Sequence, residues 1–159
     1  MITRSGIGYD IHRFAKDREL WLGGIKIPSE IGLEGHSDAD VLLHAIADAL
    51  LGAAALGDIG QHFPNTDPQW ENIRSTELLK KVQQMLVVNS YLIVNIDATL
   101  IMEKPKISPY TEEMSEVIAE TLGIDESQIN IKATTNESLG ALGRQEGAAA
   151  MAIATLQFR

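Results

Sequence analysis

Two short stretches near the start of the chain, GIGYDIHRF (Gly6–Phe14) and EGHSDADVLLHAIADALLG (Glu34–Gly52), hold three of its four histidines, each with an aspartate within a few positions. In an extended segment residues two apart point to the same face, so Asp10 and His12 project side by side. In a helix Asp40, His44 and Asp48 recur at intervals of four and share a face. A strand pair plus one helical histidine makes a set of three ligands, which a catalytic zinc takes while keeping a fourth position for water or substrate. Asp-x-His is also the spacing of a plain hydrogen-bonded pair, the commoner occurrence, so spacing alone leaves both readings open. Asp40 serves equally well as a charge in the first helical turn, and Asp48 either orients His44 from behind or is solvated. The remaining histidine, His62, falls in a polar loop, where simple exposure is the usual state.

A second cluster lies late in the chain, in KATTNESLGALGR (Lys132–Arg144). Thr134 and Thr135 end an extended segment, and Glu137, glycines and Arg144 follow closely. Hydroxyls and loop N–H groups hold phosphate, and a lone carboxylate suits Mg²⁺ bound to phosphate oxygens. The same composition also describes an ordinary strand-to-loop turn. Lys104 and Lys106 either face phosphate or are solvated charge.

The elements that must carry these residues follow from periodicity. Ile2–Arg13 reads as a strand, Glu19–Pro28 as two short strand pieces around Gly23-Gly24, and Ser29–Ala39 as a loop. Asp40–Leu51 is a helix with Leu43, Ile46, Ala47 and Leu50 at helical spacing, capped by Ser37 or Asp38. Gly57–Trp70 reads as a loop, Ser75–Leu86 as a helix and Tyr91–Met102 as a long strand. Lys104–Pro109 is a loop, with Pro109 suited to a helix start. A third helix is marked by Met114, Val117, Ile118 and Leu122 and stopped by Gly123. Ile129–Thr135 is a strand. In the tail AAAMAIATLQF the alanines favour helix, while Met151, Ile153 and Thr155 alternate as in a strand. The alternation of strands and helices predicts an α/β (α+β) fold, and 159 residues predict a single domain over 1–159.

Composition narrows the functions. The chain has no cysteine, so thiolate ligands, thiol nucleophiles and disulfides are excluded. Any metal is held by His, Asp and Glu. A net charge of −9 and a pI near 4.8 repel nucleic acid. They also oppose phosphorylated substrates unless cations and backbone N–H groups overcome the field. No apolar run approaches the roughly 20 residues of a membrane span. The opening MITRSGIGYDIH lacks a signal-peptide core, so the expectation is a cytoplasmic protein with neither a nucleic-acid nor a membrane partner.

Taken together, GHSDADVLLHAIADALLGAAALGDIGQHFPNTDP, with YDIH before it and KATTNESLGALGRQEG after it, closely resembles the 2-C-methyl-D-erythritol 2,4-cyclodiphosphate synthase family of non-mevalonate isoprenoid biosynthesis. The match runs in order over essentially the whole chain, and its HSDADVLLHA and GDIG-x-x-FPxTDP blocks are long and specific. The resemblance implies that Asp10, His12 and His44 bind Zn²⁺ or another divalent cation, and that Glu137 holds Mg²⁺ or Mn²⁺ on the substrate diphosphate. It implies that His36 and Ser37 contact the methylerythritol phosphate part. Asp58, Ile59 and Gly60, then Phe63, Pro64, Asn65, Thr66 and Asp67, are implied phosphate and substrate contacts. Met102, Glu103, Lys104, Pro105, Lys106, Ile107 and Ser108 would form the cytidine pocket. Thr134, Thr135, Asn136 and Glu137 match the late motif, and Arg144 its arginine near a trimer axis. Ala141 stands where some members carry phenylalanine, at a position implied to line a central cavity between subunits.

The implied reaction closes 4-diphosphocytidyl-2-C-methyl-D-erythritol 2-phosphate into a cyclic diphosphate with release of CMP, with His36 and Thr135 steadying the transition state. The implied fold is a mixed, four-stranded-type sheet with helices on one face, in a homotrimer whose sheets face inward. On that ground Ala148–Phe158 is assigned to a strand. Two rivals use the same residues: a metal-dependent nucleotide phosphohydrolase, with water as nucleophile, and a non-catalytic oligomer that binds cytidine nucleotides. A set of three metal ligands with an open position exceeds what a binder needs.

Overall fold

The structure, a computed structural model, describes all residues, 1–159. The chain runs β1 (Thr3–Lys16), β2 (Leu20–Leu22), β3 (Ile25–Ile27), β4 (Ile31–Leu33), α1 (Val41–Ala54) and α2 (Ile59–His62). It continues through α3 (Ser75–Val88), β5 (Tyr91–Ile101), α4 (Thr111–Leu122), β6 (Ile129–Thr134), α5 (Gly140–Gly143) and β7 (Gly147–Phe158). The main sheet is mixed, in the order β4-β1-β7-β5-β6, with β5 and β6 parallel and the other pairs antiparallel. β2 and β3 form a separate hairpin. The sheet therefore has five strands rather than four. The extra one, β4, is a three-residue edge strand in the segment read as a loop.

Helix α1 is the centre of the molecule, with 12 of its 14 residues buried. A helix apolar on nearly every side belongs inside a core, and α1 lies across β1 and β7. It can do so closely because both strands offer it almost nothing. Methyl groups on Gly6 and Gly8 would overlap the backbone of Ala49 and Ala45. β7 presents the buried Ala148, Ala150, Ala152 and Ala154. The tail's alanines are thus selected for size against a helix, and the packing overrides their helical propensity. Pairing of β7 with β1 from Thr3↔Gln157 to Arg13↔Gly147 makes the tail a central strand. The opposite face of the sheet exposes Ile7, Tyr9, Ile11, Met151 and Ile153.

Asp40, not Ser37 or Asp38, caps α1: its carboxylate accepts from Leu43 N–H at 3.1 Å. It also accepts from the N–H groups of Gly23 and Gly24 at 3.0 and 2.8 Å, pinning the β2–β3 hairpin to the start of α1. Burial pushes its carboxyl up to about 6, helped by the nearby charge of Asp38 and opposed by the three N–H donors. Asp40 therefore points away from His44, and the shared helical face expected for it is not used.

Candidate metal centre and active site

Because α1 sits flush on β1, the ring of His44 meets the side chains that β1 sends to the same face. Asp10 Oδ2 lies 2.8 Å from His12 Nε2 and 3.0 Å from His44 Nδ1. The three residues form a group whose ligand atoms all lie within 4.8 Å of one another. His44 is buried, and Asp10 and His12 are partly buried.

The remaining nitrogen of each ring is already engaged. His12 Nδ1 is 2.7 Å from the Glu34 carbonyl, which can only accept, so Nδ1 carries the hydrogen and Nε2 the lone pair. That Nε2 is buried and makes no hydrogen bond, although Asp10 is close, because the pair is misaligned for an N–H···O bond. A lone-pair nitrogen and a carboxylate oxygen facing each other repel unless a cation or proton lies between them. The donor set, one carboxylate and two imidazoles with an orienting bond behind His12, therefore fits a divalent cation. Electrostatics agree. Burial works against a charge on Asp10, but the close approach and charge of His12 and His44 outweigh it and hold the carboxyl down at about 2. Burial likewise opposes a charged His12, yet Asp10 beside it pushes its pKa above the ordinary value.

The loop before α1 brings the other expected residues to this centre. Ser37 Oγ is 3.3 Å from His44 Nε2. His36 Nε2 reaches the Asp67 carbonyl at 3.3 Å, tying this loop to Phe63–Asp67. Phe63 packs edge-on against Trp70, with ring centroids 5.1 Å apart. Asp58 caps α2 by accepting from Gln61 N–H, and Asp67 accepts from Gln69 N–H. Asp48 neither touches His44 nor is free in solvent. It is half-buried and accepts from Ile59 N–H at 2.8 Å, holding the start of α2. His62 is also tethered, donating through Nε2 to the Leu56 carbonyl at 2.6 Å.

The late motif assembles elsewhere. Met102, Glu103, Pro105, Lys106, Ile107, Ser108, Ala133, Thr134 and Thr135 line one cavity. Met102 N–H donates to the Thr134 carbonyl. Both oxygens of Glu103 are used, accepting from Asn136 N–H at 2.8 Å and Ser138 N–H at 3.0 Å. These bonds bracket Glu137, which is exposed and left-handed at φ 51°. Thr135 Oγ1 accepts from Glu137 N–H at 3.1 Å. Arg144, on the surface, pairs with Glu146 at 2.7 Å. Glu137 belongs to no cluster of metal-ligating side chains within this chain.

Two residues behind His44 escaped the sequence reading. Ser75 and Asp38 are joined to it by hydrogen bonds. Ser75 lies 31 positions away and was read only as a helix start, and Asp38 only as a helix cap.

The chain is similar to known proteins over nearly its whole length. The 2-C-methyl-D-erythritol 2,4-cyclodiphosphate synthase of Prosthecochloris aestuarii is 58% identical over 154 residues, 97% of this chain and 98% of its own length. That of Agathobacter rectalis is 58% identical over 153 residues, 96% of this chain and 86% of its own length. Among solved structures, the bifunctional IspDF of Campylobacter jejuni matches with a TM-score of 0.96 and 42% identity over 99% of this chain, which spans only 43% of that protein. A CDP complex of IspF from Plasmodium falciparum matches with a TM-score of 0.87 and 34% identity over 99% of this chain and 97% of its own. The YgbB family model matches residues 3–157, and with relatives this similar over nearly their full length, the chain belongs to the YgbB family.

Proposed function

We propose that the chain is a phosphorus–oxygen lyase converting 4-diphosphocytidyl-2-C-methyl-D-erythritol 2-phosphate to 2-C-methyl-D-erythritol 2,4-cyclodiphosphate and CMP. The convergence of Asp10, His12 and His44 on one point carries this reading, in a chain that matches synthases of that name from end to end. An oxygen of the 2-phosphate attacks the β-phosphorus of the same molecule. The bond from that phosphorus to the bridging oxygen breaks, and CMP leaves with the oxygen. An eight-membered ring remains, and no covalent enzyme intermediate is needed.

Two anionic groups must approach each other inside a protein of net charge −9, so charge neutralisation is the main task. Zn²⁺ or another divalent cation at Asp10, His12 and His44, and Mg²⁺ or Mn²⁺ at Glu137, would supply it at the diphosphate. The protein's own groups do the rest. His36, whose Nε2 hydrogen rests on the Asp67 carbonyl until a substrate phosphate takes its place, and Thr135 steady developing charge by hydrogen bonds. Ser37 and the segments Asp58–Gly60 and Phe63–Asp67 fold the methylerythritol phosphate part so that nucleophile and phosphorus align. The cavity between Met102–Ser108 and Thr134–Thr135 takes the cytidine, with Lys106 in its lining.

The active unit is a homotrimer with the sheets inward, and each site joins one chain's metal half to a neighbour's nucleotide half, with Arg144 near the axis. The uncovered apolar sheet face of Ile7, Tyr9, Ile11, Met151 and Ile153 supports this, since such a patch on a sheet marks an interaction surface. No helix is long and apolar enough to cross a membrane. The proposed substrate is a charged, water-soluble nucleotide, and the proposed place of action is the cytoplasm.

The test is product analysis by phosphorus NMR with Zn²⁺ and Mg²⁺ present. Cyclic diphosphate plus CMP is expected. A linear hydrolysis product would make the chain a phosphohydrolase, and CDP binding without turnover would make it a binder.

A further inference from the structure

Behind His44 lies a chain of buried hydrogen bonds whose direction can be worked out. Asp38 Oδ1 accepts from the Ser75 hydroxyl and from Asp40 N–H, and Oδ2 accepts from Ser75 N–H at 2.9 Å. Arg74 Nε lies 3.7 Å from Oδ2, its guanidinium stacked 3.7 Å over the Trp21 ring. An ionised carboxylate only accepts, so the single hydrogen of Ser75 Oγ is committed to Asp38. Ser75, 1% exposed, then has only lone pairs to offer His44 Nε2 at 2.9 Å. The Ser37 hydroxyl stands farther off, at 3.3 Å, so the lone pairs of Ser75 place the imidazole hydrogen on Nε2 and leave Nδ1, 3.0 Å from Asp10, bare for a cation between them.

We propose that Asp38 and Ser75 are positioning residues for the metal centre: their one-way hydrogen-bond chain fixes His44 in the tautomer that presents Nδ1 as the ligand atom. The proposal rests on the metal reading above and deepens it. His12 is held by a backbone carbonyl, which has one possible polarity. A serine hydroxyl has two, and the carboxylate of Asp38 removes the wrong one. Orienting partners of this kind also raise the basicity of the ligand, and losing one typically costs roughly 10- to 100-fold in metal affinity.

Two measurements test this on the full-length protein. In metal-free protein at alkaline pH, ¹⁵N-labelled histidine NMR reads the tautomer directly. His44 should be the Nε2–H form, held so by Ser75 and Asp38 against the pull of Asp10 on an Nδ1 hydrogen. An Nδ1–H signal overturns the proposal and leaves the metal reading untouched. Zinc affinity, measured by competition with a chromophoric chelator, should fall roughly tenfold or more in Ser75→Ala, and His44 should become a tautomer mixture. Asp38→Asn, which removes the carboxylate and keeps the serine, should weaken zinc in the same direction, and it carries the test if Ser75→Ala does not fold. Unchanged zinc affinity in a folded variant overturns the proposal. Absence of zinc binding by the unaltered protein overturns the metal reading instead.

Discussion

Asp10, His12 and His44 sit between a strand and the central helix, with His44 buried and the outer nitrogen of each ring held by a fixed oxygen. Thr134, Thr135, Asn136 and Glu137 are all exposed, and their order comes from backbone N–H groups turned onto Glu103. The first region is complete within one chain; the second is a scaffolded but open loop. Burial strengthens interactions among these three side chains and makes their geometry part of the core. Exposure leaves the late motif weak alone, because water competes for every donor and carboxylate it offers. A complete half beside an open half is the arrangement expected when the site closes only on assembly.

Subunit mixing gives the largest effect. At low Mg²⁺, His44→Ala and Glu137→Gln should each be inactive, yet unfolding both and refolding them together should restore activity. In a cyclic trimer every interface is the same junction, and a mixed trimer always contains one junction between two intact halves. Random equal mixing puts about three-quarters of trimers in the mixed class, so about a quarter of sites should revive by this count. If mass spectrometry finds mixed trimers but the assay finds no activity, the two halves do not meet across an interface.

Next in size is the loss of metal from the buried half alone. His44→Ala removes one of three ligands and should abolish most zinc binding in elemental analysis. Its circular dichroism should stay native, because the apolar surface of α1 is untouched. Full zinc occupancy in this variant would remove His44 from the ligand set.

Glu137→Gln probes the open half and should do less. Zinc stays bound, and the activity missing at low Mg²⁺ should return only at a much higher Mg²⁺ or Mn²⁺ concentration, because an amide is a poorer ligand than a carboxylate for a hard cation. An unchanged titration curve would show that the second cation is held without Glu137.

The smallest effect is on stability and belongs to the buried half. Asp40 has its folded pKa raised from 3.8 to about 6. The folded state thus binds this proton more tightly than the unfolded chain, and stability from it is fully present below pH 3.8 and lost as pH rises through about 6. Asp40→Asn, neutral throughout, should flatten the pH dependence of unfolding free energy between those values. A denaturation series with identical slopes for both proteins would show that folding does not raise the Asp40 pKa.

The same contrast explains what was legible in the sequence. Both halves of the site were visible as motifs because their residues cluster locally: Asp10 with His12, and Thr134 through Glu137. The long strands and the helices carry their periodicity within themselves and were read within a few residues of their ends, with β1 running on to Lys16. What escaped depends on partners distant in sequence. β4 is three residues whose pairing with Phe14–Lys16 no local pattern announces. Asp40 looked like a member of the His44 face, but two glycine N–H groups 16 and 17 positions earlier captured its carboxylate. The tail was undecidable by propensity because its alanines answer to a helix more than 90 residues away in sequence. Ser75 gave no signal, since its role exists only once α3 is laid against the loop before α1.

The two glycines of β1 set a mechanical tolerance. With no methyl group at Gly6 or Gly8, the Ala45 and Ala49 carbonyls rest on the strand itself, and the distance from His44 to Asp10 is gauged by bare backbone. Gly8→Ala would act as a shim, lifting α1 and carrying His44 with it, although position 8 touches no ligand. In a saturation survey read out by zinc retention, these side-chain-free positions should rank beside the ligands themselves, as the places where the chain can least afford additional matter.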